Sequence, residues 1–166
     1  RRPPRADRLA TQPRIDRVMT RNELIEKIAQ AIAEMEGFYR TAAPPTLAQR
    51  NANPGNIRQW KDKTGRPYPT SKGYVDFVAW ASERYPGASH EELSRRALEE
   101  GWRVLRVLVG QYLDGKYTQG NPPTIEEMFR VYAPASDGNH PANYARFVAR
   151  KLGARPDQRL LDLVTA

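Results

Sequence analysis

Apolar residues recur at helical intervals in four stretches of this chain, separated by loops rich in proline and glycine. In the first, Leu24, Ile25, Ile28, Ile32 and Met35 share one face of a helix predicted over 21–36. Thr20 and Glu23 have the spacing of a capping box and mark its start. The longest pattern begins after Ser89, with Glu92 as capping partner, and ends near Leu113. Leu98, Trp102, Leu105, Leu108, Val109 and Tyr112 give it a broad apolar face, so it is expected at the centre of the domain. Thr124 with Glu127 opens a third helix carrying Ile125, Met128, Phe129 and Tyr132, which Pro134 stops. Pro141 suits a first helical turn, Tyr144, Phe147, Val148 and Leu152 form the next stripe, and Gly153 follows as its C-cap. A last short helix is expected over 156–164.

Between 38 and 73 the periodicity is lost. Pro44-Pro45, Pro54-Gly55, Gly65 and Pro67-Tyr68-Pro69 predict a long irregular stretch. Short strands over 57–60 and 74–77 would make a small β-hairpin, although Tyr74, Phe77, Val78 and Ala81 equally fit a short helix. The fold class read from these patterns is mainly α, with an α+β element at most as large as one hairpin.

The chain has 166 residues, enough for one domain with its own core. It has no apolar run of about eighteen residues, which excludes a membrane-spanning helix, and its first twenty residues lack the apolar centre of a signal peptide. Cysteine is absent, so disulfides and thiolate metal sites are excluded. His90 and His140 have no carboxylates at ligand spacing, and no metal or cofactor is expected. The net charge of +8 favours a polyanionic partner, which nucleic acid and anionic cell-wall polymer satisfy equally. Part of that charge lies in residues 1–20, where Arg1, Arg2, Arg5, Arg8, Arg14 and Arg17 are opposed only by Asp7 and Asp16. This stretch is read as a flexible basic tail preceding a domain at 21–166, and as the route by which the chain would bind nucleic acid.

Counting by fours from Ile28 gives Ile32 and then Glu36, so this carboxylate continues the buried stripe. It also closes the helix, near the negative end of the dipole. Burial and dipole both disfavour the anion and should raise its pKa, as a general acid requires. Glu34 points elsewhere. Asn53-Pro54-Gly55-Asn56 is a turn whose amides and close-approach glycine would make a good wall for a hydroxyl-rich ligand. Trp60, Tyr68 and Tyr74 are candidates for stacking on sugar rings. On spacing alone Glu36 also fits a solvated helix end, 53–56 a plain turn, and Tyr132 and Tyr144 plain core.

The order of these motifs carries more than each alone. Glu36-Gly37 is followed by Asn53-Pro54-Gly55-Asn56-Ile57, Glu100-Gly101-Trp102, Tyr132-Ala133-Pro134, Asp137-Gly138-Asn139 and Tyr144-Ala145-Arg146-Phe147-Val148. Over about 22–153 this resembles phage-encoded proteins with a lysozyme-like fold, related to lytic transglycosylases and goose-type lysozymes. The resemblance implies that Glu36 matches the family's single catalytic glutamate. It implies that Asn53, Gly55, Asn56 and Ile57 border the substrate groove. Tyr132 would match a tyrosine hydrogen-bonded near the carboxylate, and Tyr144 a residue on the following helix. Gly37 stands where the family has serine, and Tyr132 precedes Ala-Pro rather than Asn.

The implied activity is cleavage of the glycosidic bond between N-acetylmuramic acid and N-acetylglucosamine in peptidoglycan, in a phage virion or the host envelope. Glycan strands, and other virion proteins, would be the partners. Asp76, Glu83 and Glu100 are the candidates for a second acid, each with a surface or capping explanation. Two other readings stay open: a virion component that keeps the fold without catalysis, and a nucleic-acid binder acting through the basic tail.

Overall fold

Side-chain caps set where the helices of this protein begin. In a computed structural model, which describes residues 19–164, helix α1 (Arg21–Met35) starts where Thr20 accepts a hydrogen bond from the Glu23 amide at 3.1 Å. All of the basic stretch 1–20 except Met19 and Thr20 lies outside the described residues. A complete capping box, Thr46 with Gln49, opens the short helix α2 (Leu47–Arg50) inside the stretch read as irregular. Asp76 accepts from the amides of Val78 and Ala79 and starts α3 (Phe77–Arg84), so the short-helix alternative is the one realised there. Ser89 caps the 24-residue α4 (His90–Leu113). Thr124 and Glu127 cap α5 (Ile125–Tyr132) reciprocally, and Pro141 occupies the first turn of α6 (Pro141–Leu152).

The hairpin is smaller than expected and displaced. Strands β1 (Thr70–Ser71) and β2 (Tyr74–Val75) pair antiparallel, Thr70 opposite Val75, through a two-residue turn at Lys72 and Gly73. Both turn residues have positive φ, the geometry that matches the twist of paired strands. Residues 57–60 do not form the expected strand. The Ile57 carbonyl accepts from the Val75 amide at 2.8 Å, but Trp60 and Lys61 turn away to pair with Tyr68 and Pro67. The expected helix over 156–164 contracts to one 3-10 turn, Leu160–Leu163. There the backbone is taken by the start of α5 instead, with Ile125 donating to Gln158 and Leu160 to Pro123.

Helix α4 is central. Helices α1 and α3 pack against it, α6 packs on α1, and α5 on α6. Leu24, Ile28 and Ile32 of α1, Leu105 and Val109 of α4, Phe129 of α5 and Val148 of α6 are buried in one core. The buried line of α4 runs Ala97, Gly101, Leu105, Val109 at intervals of four. Leu98 lies one residue off that line and is 39% exposed, contrary to its assignment to the buried face. Met35, at the last turn of α1, is likewise exposed. Among the described residues no helix is long and apolar enough to cross a membrane.

Candidate active site

The end of α1 determines where Glu36 points. Glu36 is the C-cap, and Gly37 follows with φ of 73°. The Phe38 amide bonds back to the Ala33 carbonyl at 3.0 Å and the Gly37 amide to Glu34 at 3.2 Å, a Schellman closure. Glycine takes that backbone without strain, which suits Gly37 to this position. The Glu36 side chain then continues the Ile28–Ile32 line into the interior, as its spacing predicts, and is partly buried.

Two polar groups meet this carboxyl. Tyr144, from α6, donates its hydroxyl to Glu36 Oε1 at 3.1 Å, and the same hydroxyl lies 3.4 Å from the Ile32 carbonyl oxygen. The Asn56 side chain, from the loop after α2, lines the same groove and favours the anion of this carboxyl. Burial raises the Glu36 pKa above the ordinary carboxylate value of 4.5, and the bonds from Tyr144 and Asn56 oppose that rise without cancelling it. Burial also pushes the phenols of Tyr132 and Tyr144 well above their usual range, so both remain protonated donors.

The loop 51–57 is held by its own side chain. Asn53 is fully buried; its Nδ2 donates to the carbonyls of Ile57 and Val75 at 2.9 and 3.0 Å, and its Oδ1 accepts from the Ile57 amide at 2.9 Å. The loop lies so close to α4 that a Cβ on Gly101 would stand 2.1 Å from the Ala52 carbonyl oxygen. At Gly55 a Cβ would meet Leu105 at 2.7 Å and the Tyr132 hydroxyl at 3.0 Å. Close approach is therefore what both glycines provide. Tyr132, from α5, donates to the Gly55 carbonyl at 2.6 Å and ties the loop to α5.

These elements enclose an open groove of about 300 Å³. Of the residues predicted for the site, Glu36, Gly55, Asn56, Ile57 and Tyr132 line it. Asn53 and Tyr144 do not: both are turned inwards, Asn53 to staple the loop to β2 and Tyr144 to hold the carboxyl. Trp60 and Tyr74 reach the groove, whereas Tyr68 is buried core that donates to Glu100 at 3.0 Å.

Sequence reasoning did not single out Arg58, Tyr112 or Asn139 as groove residues. Arg58 lies over the Tyr74 ring at 5.1 Å and approaches Asp137 at 3.8 Å. The segment Asp137-Gly138-Asn139 was the available signal for that side.

Among the described residues no second carboxylate joins Glu36 in the lining. Asp76 is occupied in capping α3, Glu100 is ion-paired with Arg103, and Glu83 borders a separate hollow beside Trp80. A larger depression of about 700 Å³ includes Trp80 and Arg103, but its most buried acid is that same neutralised Glu100. Among the described residues no cluster of His, Asp and Glu has metal-holding geometry. The groove around Glu36 thus combines one acid of raised proton affinity, fixed hydrogen-bond donors, amides and aromatic walls. Comparison with protein-family models, with curated proteins and with solved structures returns no match.

Proposed function

We propose that this chain is a peptidoglycan-cleaving enzyme with a lysozyme-like domain, in which Glu36 alone supplies the acid and the base. The observation that carries the reading is the placement of Glu36: partly buried, hydrogen-bonded by Tyr144, and among the described residues the one carboxylate in the lining of an open groove.

In this reading a glycan strand lies along the groove, with Trp60 and Tyr74 against sugar faces and the amides of Asn56 and Asn139 on hydroxyl or acetamido groups. Glu36 gives its proton to the oxygen linking N-acetylmuramic acid to N-acetylglucosamine as the bond to the anomeric carbon breaks. The carboxylate left behind is stabilised by Tyr144 and Asn56, the two groups that favour its anion. It then accepts a proton from the nucleophile that adds to the anomeric carbon. If the nucleophile is the primary hydroxyl of the same muramoyl residue, an anhydro end results; if it is water, a reducing end. The absence of a second carboxylate from the lining favours the intramolecular route, since an external water has no other base to orient it.

The test is turnover of purified peptidoglycan by the wild-type chain and by Glu36→Gln, with mass analysis of the products. Loss of turnover in the variant and anhydro ends from the wild type are expected. Equal turnover by both proteins would remove Glu36 from the mechanism.

A further inference from the structure

The Glu36 groove does not end at Trp60. Gln59, Trp60 and Tyr117 line it and also line an adjoining basin of about 540 Å³. The further walls of that basin include Lys61, Tyr68, Gln111 and Lys116. Among the described residues the two lysines are its only charged ones: no carboxylate lines it, and neither lysine has an ion-pair partner. Several cations on this surface are paired with carboxylates, as Arg103 with Glu100, Arg106 with Glu26 and Lys151 with Glu34. Among the described residues the walls of the basin supply no such carboxylate, and the Tyr117 ring lies 5.6 Å from the Lys116 ammonium.

Both lysines sit on fixed backbone. Lys61 lies in the bridge to Pro67, next to Trp60, whose carbonyl accepts from Tyr68 at 2.9 Å. Lys116 follows the end of α4, its amide bonded to the Gln111 carbonyl at 3.1 Å. The turn it opens is locked by Gly115, where a Cβ would meet Asn121 backbone at 2.6 Å. Tyr117 donates to Gln111 at 2.7 Å and packs on Tyr112, itself a groove residue. Basin and groove therefore share a wall that does not depend on loose side chains.

We infer that this basin takes the carboxylate-bearing peptide carried by the muramoyl residues of a strand bound in the groove. The inference rests on the glycan-cleaving reading of Glu36. Two exposed lysines are suited to this role: each gains little from a charge in water, and the pair gains enough to tell a peptide-bearing strand from a bare one. Two such contacts support a preference on the order of 10-fold at low salt. The preference should contract as ionic strength rises.

The experiment uses the non-cutting Glu36→Gln chain, titrated calorimetrically with peptide-bearing glycan strands and with the same strands after removal of the peptides. The affinity ratio is the readout, and it should fall close to one when Lys61→Gln and Lys116→Gln are added. Both side chains are exposed, so the thermal midpoint should not move with those changes. A ratio that stays unchanged in the lysine variant overturns the inference, as does a ratio of one before the lysines are altered. Wild-type turnover on the same strands separates the two readings. A lysine-dependent preference without any cleavage sinks the catalytic role of Glu36 alone; cleavage with a lysine-independent ratio sinks the peptide basin alone.

Discussion

Replacing Gly101 by alanine sets two physical effects against each other. Gly101 lies in the interior of α4, where glycine is about 1 kcal/mol less favourable than alanine, so helix propensity alone makes G101A stabilising. The packing makes the opposite demand. The new Cβ would lie 2.1 Å from the Ala52 carbonyl oxygen and 3.0 Å from Pro54 Cδ. The first of these is backbone, and it would have to retreat by roughly 1 Å to reach ordinary contact. Overpacking of this kind costs about 1–3 kcal/mol, which equals or exceeds the propensity gain. A net loss of up to about 2 kcal/mol should lower the thermal midpoint by up to about 8 °C in a chain of this size.

The displaced loop carries Gly55 and Asn56, so a shift of roughly 1 Å there should also cut turnover by about 100-fold. G110A in the same helix is the control, because a Cβ there meets Arg21 and Ile25 at ordinary distances of 3.5 and 3.7 Å. It should be neutral or stabilised by up to about 1 kcal/mol. Calorimetric unfolding of both variants and turnover of peptidoglycan test the argument. G101A as stable and as active as G110A would refute it.

Glu36→Gln should stabilise the protein at neutral pH as well as inactivate it. The folded state raises the Glu36 pKa above 4.5, so it retains a proton that the unfolded chain has already lost, and stability falls as pH rises through that window. Thermal scans should show the variant above wild type at pH 7 and level with it below pH 4; coincidence at both would contradict the burial of the charge. Tyr144→Phe removes a bond that favours the anion, so the alkaline limb of the rate profile, where Glu36 loses its proton, should move to higher pH while the maximal rate drops. An unmoved limb in a pH–rate series would mean Tyr144 only packs. Asn53→Ala strips its bonds from the Ile57 amide and the Val75 carbonyl, at about 1–3 kcal/mol each, and should cost about 2–6 kcal/mol in urea unfolding. A loss below 1 kcal/mol would show that water replaces the staple.

What could be read along the chain was whatever is decided within a few residues. Thr20, Ser89 and Thr124 announce helix starts because the cap and its partner lie in one turn. The same signature at Thr46 and Gln49 was present but hidden among prolines. Glu36 was legible because a four-residue count along α1 carries it into the core. Asn53 was not, because its partners at Ile57 and Val75 are assembled only when β2 arrives. Tyr144 reaches Glu36 across 108 residues, and no local pattern distinguishes its hydroxyl from that of any other core tyrosine. Residues 57–60 read as strand from their composition, yet Asn56 takes a left-handed φ of 47° that redirects the chain just before them. Gly101 is the place where the loop touches α4, a contact that no local pattern along the helix announces.

The bond from Tyr144 to Glu36 also makes the acid a gauge of folding. Helix α1 precedes α6 by more than a hundred residues, so a nascent or partly opened chain holds Glu36 with neither its phenol partner nor the full burial that α6 contributes. Its carboxyl then lacks the burial that raises its proton affinity in the folded chain. If the proposed wall cleavage is correct, it would wait until the last long helix has docked, and one carboxyl resonance followed by pH would report that docking directly.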